Sequence, residues 1–240
     1  MRDRRRHPRG RALRFASILF CSLAGLAGTS AAQSSRVVDL ELVLTIDCSY
    51  SVDAGEFELQ KIGLAEAFIN PAVLAAILAG EHKAIGVTVV EWSGAGAQTV
   101  VVPWTTVHDA ASAVALAARI EAVPRVTQEG ATSISSMIEF GLALFDANRL
   151  AGVRRVIDIS ADGRNNTGRK IGAVVPLAMI LGVTVNGLAI LNEIPTLHFY
   201  FEQQVISGPD AFVMKANDYQ HYAVAILRKL IREIGYPAIS

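Results

Sequence analysis

Residues 44–51 read Leu-Thr-Ile-Asp-Cys-Ser-Tyr-Ser. In an extended loop alternate side chains point the same way. Asp47, Ser49 and Ser51 therefore offer one carboxylate and two hydroxyls to a single point. These are hard oxygen donors, suited to Mg²⁺, Mn²⁺ or Ca²⁺ rather than to zinc or copper. Three short side chains from one loop rarely complete a sixfold shell, so further donors should come from elsewhere. Two segments stand out. Ser160-Ala161-Asp162-Gly163 sets Asp162 at the end of an apolar run, with a glycine to turn the chain. Glu129-Gly130-Ala131-Thr132 precedes a long helical pattern, which leaves the Thr132 hydroxyl in a cap-like position. The candidate metal ligands are thus Asp47, Ser49, Ser51, Thr132 and Asp162. Taken singly, Asp47, Ser49 or Ser51 could equally cap a helix.

Other residues carry weaker signals. Glu129 could hold a metal-bound water, although a solvated loop acid is the simpler reading. Asn165-Asn166-Thr167-Gly168 reads as a tight turn with room for a supporting role. Cys48 points away from the candidate ligands and reads as a small buried hydrophobe rather than a nucleophile. Tyr50 and Trp104 are expected to be exposed near the top of the sheet. His82, His108, His198 and His221 have no metal-ligand spacing. Gly94-Ala95-Gly96 lies between two strands and so fails the context of a dinucleotide loop. Trp92-Ser93-Gly94 follows Glu91, where a nucleophile elbow needs glycine.

The elements that must position these groups alternate between two hydrophobic periods. Residues 37–46 form a nearly continuous apolar run, the pattern of a strand buried on both faces. A helix is predicted over 53–69, broken at Asn70-Pro71 and followed by a short helix to 78. Strands follow over 84–92 and 98–102, close enough to form a hairpin, with Pro103 ending the second at an edge. Helices are predicted over 109–122 and 133–150, a strand over 153–160, a helix over 171–181 and a strand over 183–190. A short helix over 196–206, a brief strand over 211–214 and a helix over 218–234, capped by Asp218, complete the chain. Within that last helix Ile226, Leu227, Leu230 and Ile231 are assigned to the core. This order implies an α/β fold: a doubly wound, mostly parallel six-stranded sheet with helices on both faces and one antiparallel edge strand.

The set Asp47-x-Ser49-x-Ser51, then Thr132, then Ser160-x-Asp162-Gly163 resembles the metal-ion-dependent adhesion site (MIDAS) of von Willebrand factor A (VWA) domains. The resemblance covers about residues 37–236. More narrowly, Val38-Asp39-Leu40 and Gly208-Pro209 resemble a family of uncharacterised exported bacterial VWA-like proteins. The resemblance implies a Rossmann-like sheet with the first strand central and the Asp162 strand beside it. It implies that both aspartates sit at the switch point, where such sheets bind ligands. It further implies that the five residues hold one divalent cation, directly or through water, and leave a position open for a partner's acidic side chain. The expected role is protein binding rather than catalysis. A phosphoryl-transfer site of the haloacid dehalogenase type needs a second aspartate where Ser49 stands, and Lys170 is the nearest candidate base. An ion that only stabilises the fold is the other alternative.

Composition narrows the partner. Residues 2–14 carry seven arginines and one aspartate, followed by a short apolar stretch and Ser30-Ala31-Ala32. This is the order of a cleavable signal peptide, with cleavage expected after Ala32 and an uncleaved signal anchor as the alternative. Residues 33–240 then form a single domain in the periplasm or outside the cell. Arg4-Arg5 is a faint twin-arginine cue, and Phe20 before Cys21 argues against a lipoprotein site. The whole chain balances 22 basic against 22 acidic residues, so residues 33–240 keep 15 and 21, a net charge of −6. That disfavours nucleic acid or an anionic membrane as partner. No later segment has the length and apolarity of a membrane span.

Overall fold

A computed structural model describes residues 35–235. The expected signal peptide and its cleavage point lie outside the described residues. Six strands form one sheet: β1 (Arg36–Asp47), β2 (Ile85–Trp92), β3 (Gln98–Val107), β4 (Leu150–Ala161), β5 (Val183–Ile190) and β6 (Val213–Ala216). Their spatial order is β3-β2-β1-β4-β5-β6. Every neighbouring pair is parallel except β2 and β3, so the antiparallel strand is at one edge.

Alternation along β1 divides the core. Leu40, Leu42, Leu44 and Ile46 face one helix layer: α1 (Ala54–Ile69), α2 (Pro71–Leu78), α3 (Ala110–Ala122) and α7 (Tyr222–Gly235). Val43, with Ile157 and Ile159 of β4, faces the other layer: α4 (Ile134–Asp146), α5 (Val175–Ile180) and α6 (Leu197–Tyr200). Side-chain caps start several helices, and at α4 the cap is Ser133 rather than Thr132. Asp53 and Glu56 form a reciprocal capping box on α1, and Asn70 with Pro71 starts α2. Asp109 caps α3 and Ser133 caps α4. A glycine at 141 lets α4 sit tightly on β4, since a Cβ there would come within 2.9 Å of Ile157. Among the described residues no single helix is long and apolar enough to cross a membrane; α1 and α2 reach that length together but bend by 56° between them.

Several boundaries differ from the sequence reading. The helix predicted to 150 stops at Asp146, because Asn148 diverts the backbone. Its Oδ1 accepts from Leu150 N at 2.7 Å and its Nδ2 donates to Glu41 at 2.6 Å. Strand β4 gains those residues and pairs with the first residues of β1. Strand β3 runs through Pro103 instead of ending there. The register shifts between Val87 and Val89, and the Thr88 hydroxyl donates to the displaced Val102 carbonyl at 2.8 Å. The helix predicted over 171–181 splits into a 3₁₀ turn (Ile171–Ala173) and α5, whose first turn accommodates Pro176. After α6 the backbone widens into a single π turn, Phe201–Val205. Asp218 caps a 3₁₀ turn, Tyr219–His221, that leads into α7. Trp104 lies not at the top of the sheet but toward its opposite end, where its indole N–H donates to Leu144 O at 3.2 Å and its ring meets Phe145.

The buried face of α7 contains two charges. Lys229 and Glu233 are fully buried, and Lys229 Nζ lies 2.8 Å from Asp158 Oδ2 on β4 as well as against Glu233. Asn186 of β5 donates to Glu233 at 2.9 Å and accepts from Phe212 N at 3.0 Å.

Candidate metal centre

The loop after β1 is held on three sides. Cys48 N donates to Trp92 O and Tyr50 N to Gly130 O, both at 2.8 Å, so the loop prolongs the strand pairing. The Arg125 guanidinium donates to the carbonyls of Cys48 and Val52 at 3.0 Å each. From α1, Gln60 donates to Asp47 O at 3.1 Å and accepts from Asp47 N at 3.3 Å. A strand end fixed in this way aims its side chains without relying on a long, flexible loop.

Within this frame the candidate residues meet. Ser49 N donates to Asp47 Oδ1 at 2.7 Å, and the Ser49 and Ser51 hydroxyls are 3.2 Å apart. Ser51 Oγ donates to Asp162 Oδ1 at 2.7 Å, closing 111 residues of sequence into one contact. Thr132 is held by Asn166, which accepts from Thr132 N and donates to Thr132 O, each at 2.9 Å. Its hydroxyl lies so close to the turn after Asp162 that a Cβ on Gly163 would be 3.3 Å from it. Asp47, Ser49, Thr132 and Asp162 are buried while Ser51 is exposed, so the cluster opens to solvent on the Ser51 side. All five side chains gather at the carboxyl ends of β1 and β4. At these adjacent strands the chain winds to β2 on one side and to β5 on the other, which is the switch point of the sheet.

The electrostatics favour a cation. Burial, and then the charge of Asp162, raises the Asp47 carboxyl to about 7. Burial raises Asp162 too, against the lowering effect of the hydrogen bonds from Ser51 and Tyr219. Asp47 Oδ2 is buried with no hydrogen-bond partner among the described residues. Two desolvated carboxylates with one orphaned oxygen and adjacent hydroxyls fit a divalent ion, whose charge would remove the repulsion. Among the described residues no group of three His, Cys, Asp or Glu side chains could hold a metal.

The surrounding residues sort as follows. Tyr50 is 74% exposed beside the opening. Glu129 lies 3.5 Å from Arg125 and is largely solvated. Cys48 is fully buried, and burial pushes its thiol up to about 12, far from a nucleophile's range. Asn165 joins Asn166 in bracing α4 by accepting from Ser135 N at 2.9 Å. Sequence reasoning missed Tyr219, whose hydroxyl donates to Asp162 Oδ2 at 3.0 Å. It also missed Gln60 and Arg125. None of the three has a spacing relation to the Asp47 motif, and only the fold brings them to it.

Solved structures share this architecture. Proximal thread matrix protein 1 from the mussel byssus superposes with a TM-score of 0.61 at 17% identity, over 82% of this chain and 48% of that one. Another structure of that protein, with its MIDAS motif occupied by zinc, gives 0.56 at 15% identity, over 82% and 46%. A von Willebrand factor type A protein from Catenulispora acidiphila gives 0.57 at 15% identity, over 85% and 44%. The von Willebrand domain of the type V pili tip protein Mfa5 from Porphyromonas gingivalis gives 0.57 at 11% identity, over 87% and 99%. This chain thus spans less than half of the mussel and Catenulispora chains and nearly all of the Mfa5 domain. A search of curated protein sequences returns no significant match. Residues 37–238 match the family described as "Protein of unknown function (DUF1194)". The chain is therefore a member of the DUF1194 family, built on the VWA fold.

Proposed function

We propose that this protein is an exported, non-enzymatic binding module that holds one divalent cation and uses it to capture a carboxylate on a partner protein. The cation's proposed ligands are Asp47, Ser49, Ser51, Thr132 and Asp162, directly or through water. The observation that carries this reading is the contact of Ser51 with Asp162 beside the orphaned Asp47 Oδ2. With both carboxylates ionised, a divalent ion would bring the site close to neutrality, and neutral hydroxyls would leave it attractive to an outside anion. Oxygen donors favour Mg²⁺, Mn²⁺ or Ca²⁺. The zinc at the mussel protein's motif makes zinc a necessary fourth ion in any titration. The mussel byssus protein and the pili tip protein among the related folds support a location outside the cytoplasm. We place the domain at residues 33–240 after a cleaved signal, with a protein rather than nucleic acid as partner.

Calorimetry of the chain starting at Gln33 tests the cation: one ion per chain is expected, and Asp47→Ala should abolish the heat. Loss of measurable binding for all four metals in the parent chain would remove the basis of the proposal. Recovery of a partner from envelope extract that survives EDTA would reduce the ion to a stabilising role.

A further inference from the structure

The rim of the opening is electrically lopsided. On the α1 side stand Asp53, Glu56 and Glu193, with Asn192 donating to Glu56 at 3.1 Å. Burial, and after it the nearby charges of Asp53, Asp162 and Glu193, raise the Glu56 carboxyl against the lowering hydrogen bond with Asp53. The loop that leaves Asp162 contains three cations, Arg164, Arg169 and Lys170. Arg169 pairs with Glu139. Arg164 and Lys170 are exposed and have no carboxylate partner among the described residues. The Arg164 guanidinium instead lies 5.6 Å from the Tyr200 ring centroid.

Two open clefts meet at that ring. One, of about 620 Å³, is lined by residues that include Asn165, Lys170, Tyr200 and Gln204. The other, of about 240 Å³, has Arg164 and Gln203 in its wall. Among the described residues no carboxylate lines either cleft, although residues 33–240 have a net charge of −6. Their polar side chains are amides, the Thr196 hydroxyl, a phenol and two cations, all able to donate to anionic groups. Arg164 follows Asp162 by two residues, so its Cα lies within about 7 Å of that of Asp162. A peptide whose carboxylate sits at the candidate cation reaches this basic wall with the next one or two residues.

Resting on the functional reading above, we propose that these paired clefts form a subsite for the partner segment next to the captured carboxylate, and that this segment is an acidic peptide. Attraction to Arg164 and Lys170, which no carboxylate among the described residues neutralises, draws the segment along this wall as it leaves the site.

Fluorescence anisotropy with two labelled synthetic peptides tests this. One has a single Asp flanked by Ser and Gly, the other the same Asp flanked by Glu. In Mg²⁺ the acidic-flanked peptide should bind about five- to tenfold more tightly, an advantage that shrinks as salt is added. Arg164→Glu with Lys170→Glu should reverse the preference, and Arg164→Gln with Lys170→Gln should equalise the two peptides. Equal affinity of both peptides for the parent chain overturns the subsite and leaves cation capture intact. A preference that persists in EDTA keeps the subsite and overturns cation capture. Binding of neither peptide overturns both. Sedimentation with phosphatidylserine vesicles by the parent chain but not by the double variants would assign the basic wall to a lipid surface and overturn the peptide assignment.

Discussion

At the scale of single residues, Asp47, Ser49 and Ser51 were legible because alternation in an extended loop is a local property. Asp162 was legible as an acid at a strand end before a glycine, and Thr132 as a hydroxyl before a helix. The partners that hold them were not. Tyr219 comes from a turn 57 residues beyond Asp162, and a tyrosine there has no pattern that distinguishes it from a core residue. Its hydroxyl is the donor to Asp162 Oδ2, so removing it leaves a buried carboxylate oxygen short of a partner. Tyr219→Phe is therefore expected to lower stability in EDTA by about 1–3 kcal/mol, measured by urea unfolding. An unchanged midpoint would mean that the hydroxyl is energetically idle.

At the scale of elements, the six strands and their alternation with helices were legible because buried parallel strands read as continuous apolar runs. The boundaries depended on side chains that compete with the backbone, as Asn148 does when it ends α4 early. Helix α7 shows a different limit. Ile226 and Leu230 are buried as the periodicity requires, but Lys229 and Glu233 share that face, where hydropathy alone assigns charges to solvent. They are buried because Asp158 meets them from β4. Burial, and then the charge of Glu233, raises the Asp158 carboxyl to about 8 despite Lys229. In the unfolded chain the same group titrates near 3.9. Between these values the folded chain keeps a proton that the unfolded chain releases, so this term costs stability as pH rises through that window. The slope is on the order of 1 kcal/mol per pH unit. Asp47 shifts in the same direction, so Asp158→Asn should flatten the dependence without abolishing it. Urea midpoints in EDTA across roughly pH 5 to 8 are the measurement. A variant as steep as the parent would show that Asp158 ionises normally.

At the scale of the whole molecule, alternation of strands and helices implied a mostly parallel sheet, but the central place of β1 with β4 beside it was legible only through the VWA resemblance, and the sheet order β3-β2-β1-β4-β5-β6 agrees with it. The rim charges were legible in neither way, because Glu193, Glu56 and Arg164 become neighbours of one opening only in three dimensions. The two core layers share β1 and β4, so the chain from Gln33 should unfold in one transition by both far-ultraviolet and tryptophan signals. A cation at a hundred times its dissociation constant should add about 2.7 kcal/mol to that transition. Two separated melting steps would contradict the single unit. The sealed position of Cys48 supplies a way to watch the same equilibrium without any added label. It is the only sulfhydryl after residue 32, flanked by Asp47 and Ser49 and shut beneath a segment tied to Gly130 and Arg125. A maleimide can reach it only when that segment lifts away, so alkylation runs as a clock of how often the ligand cradle breathes, and the clock should slow when the ion is seated.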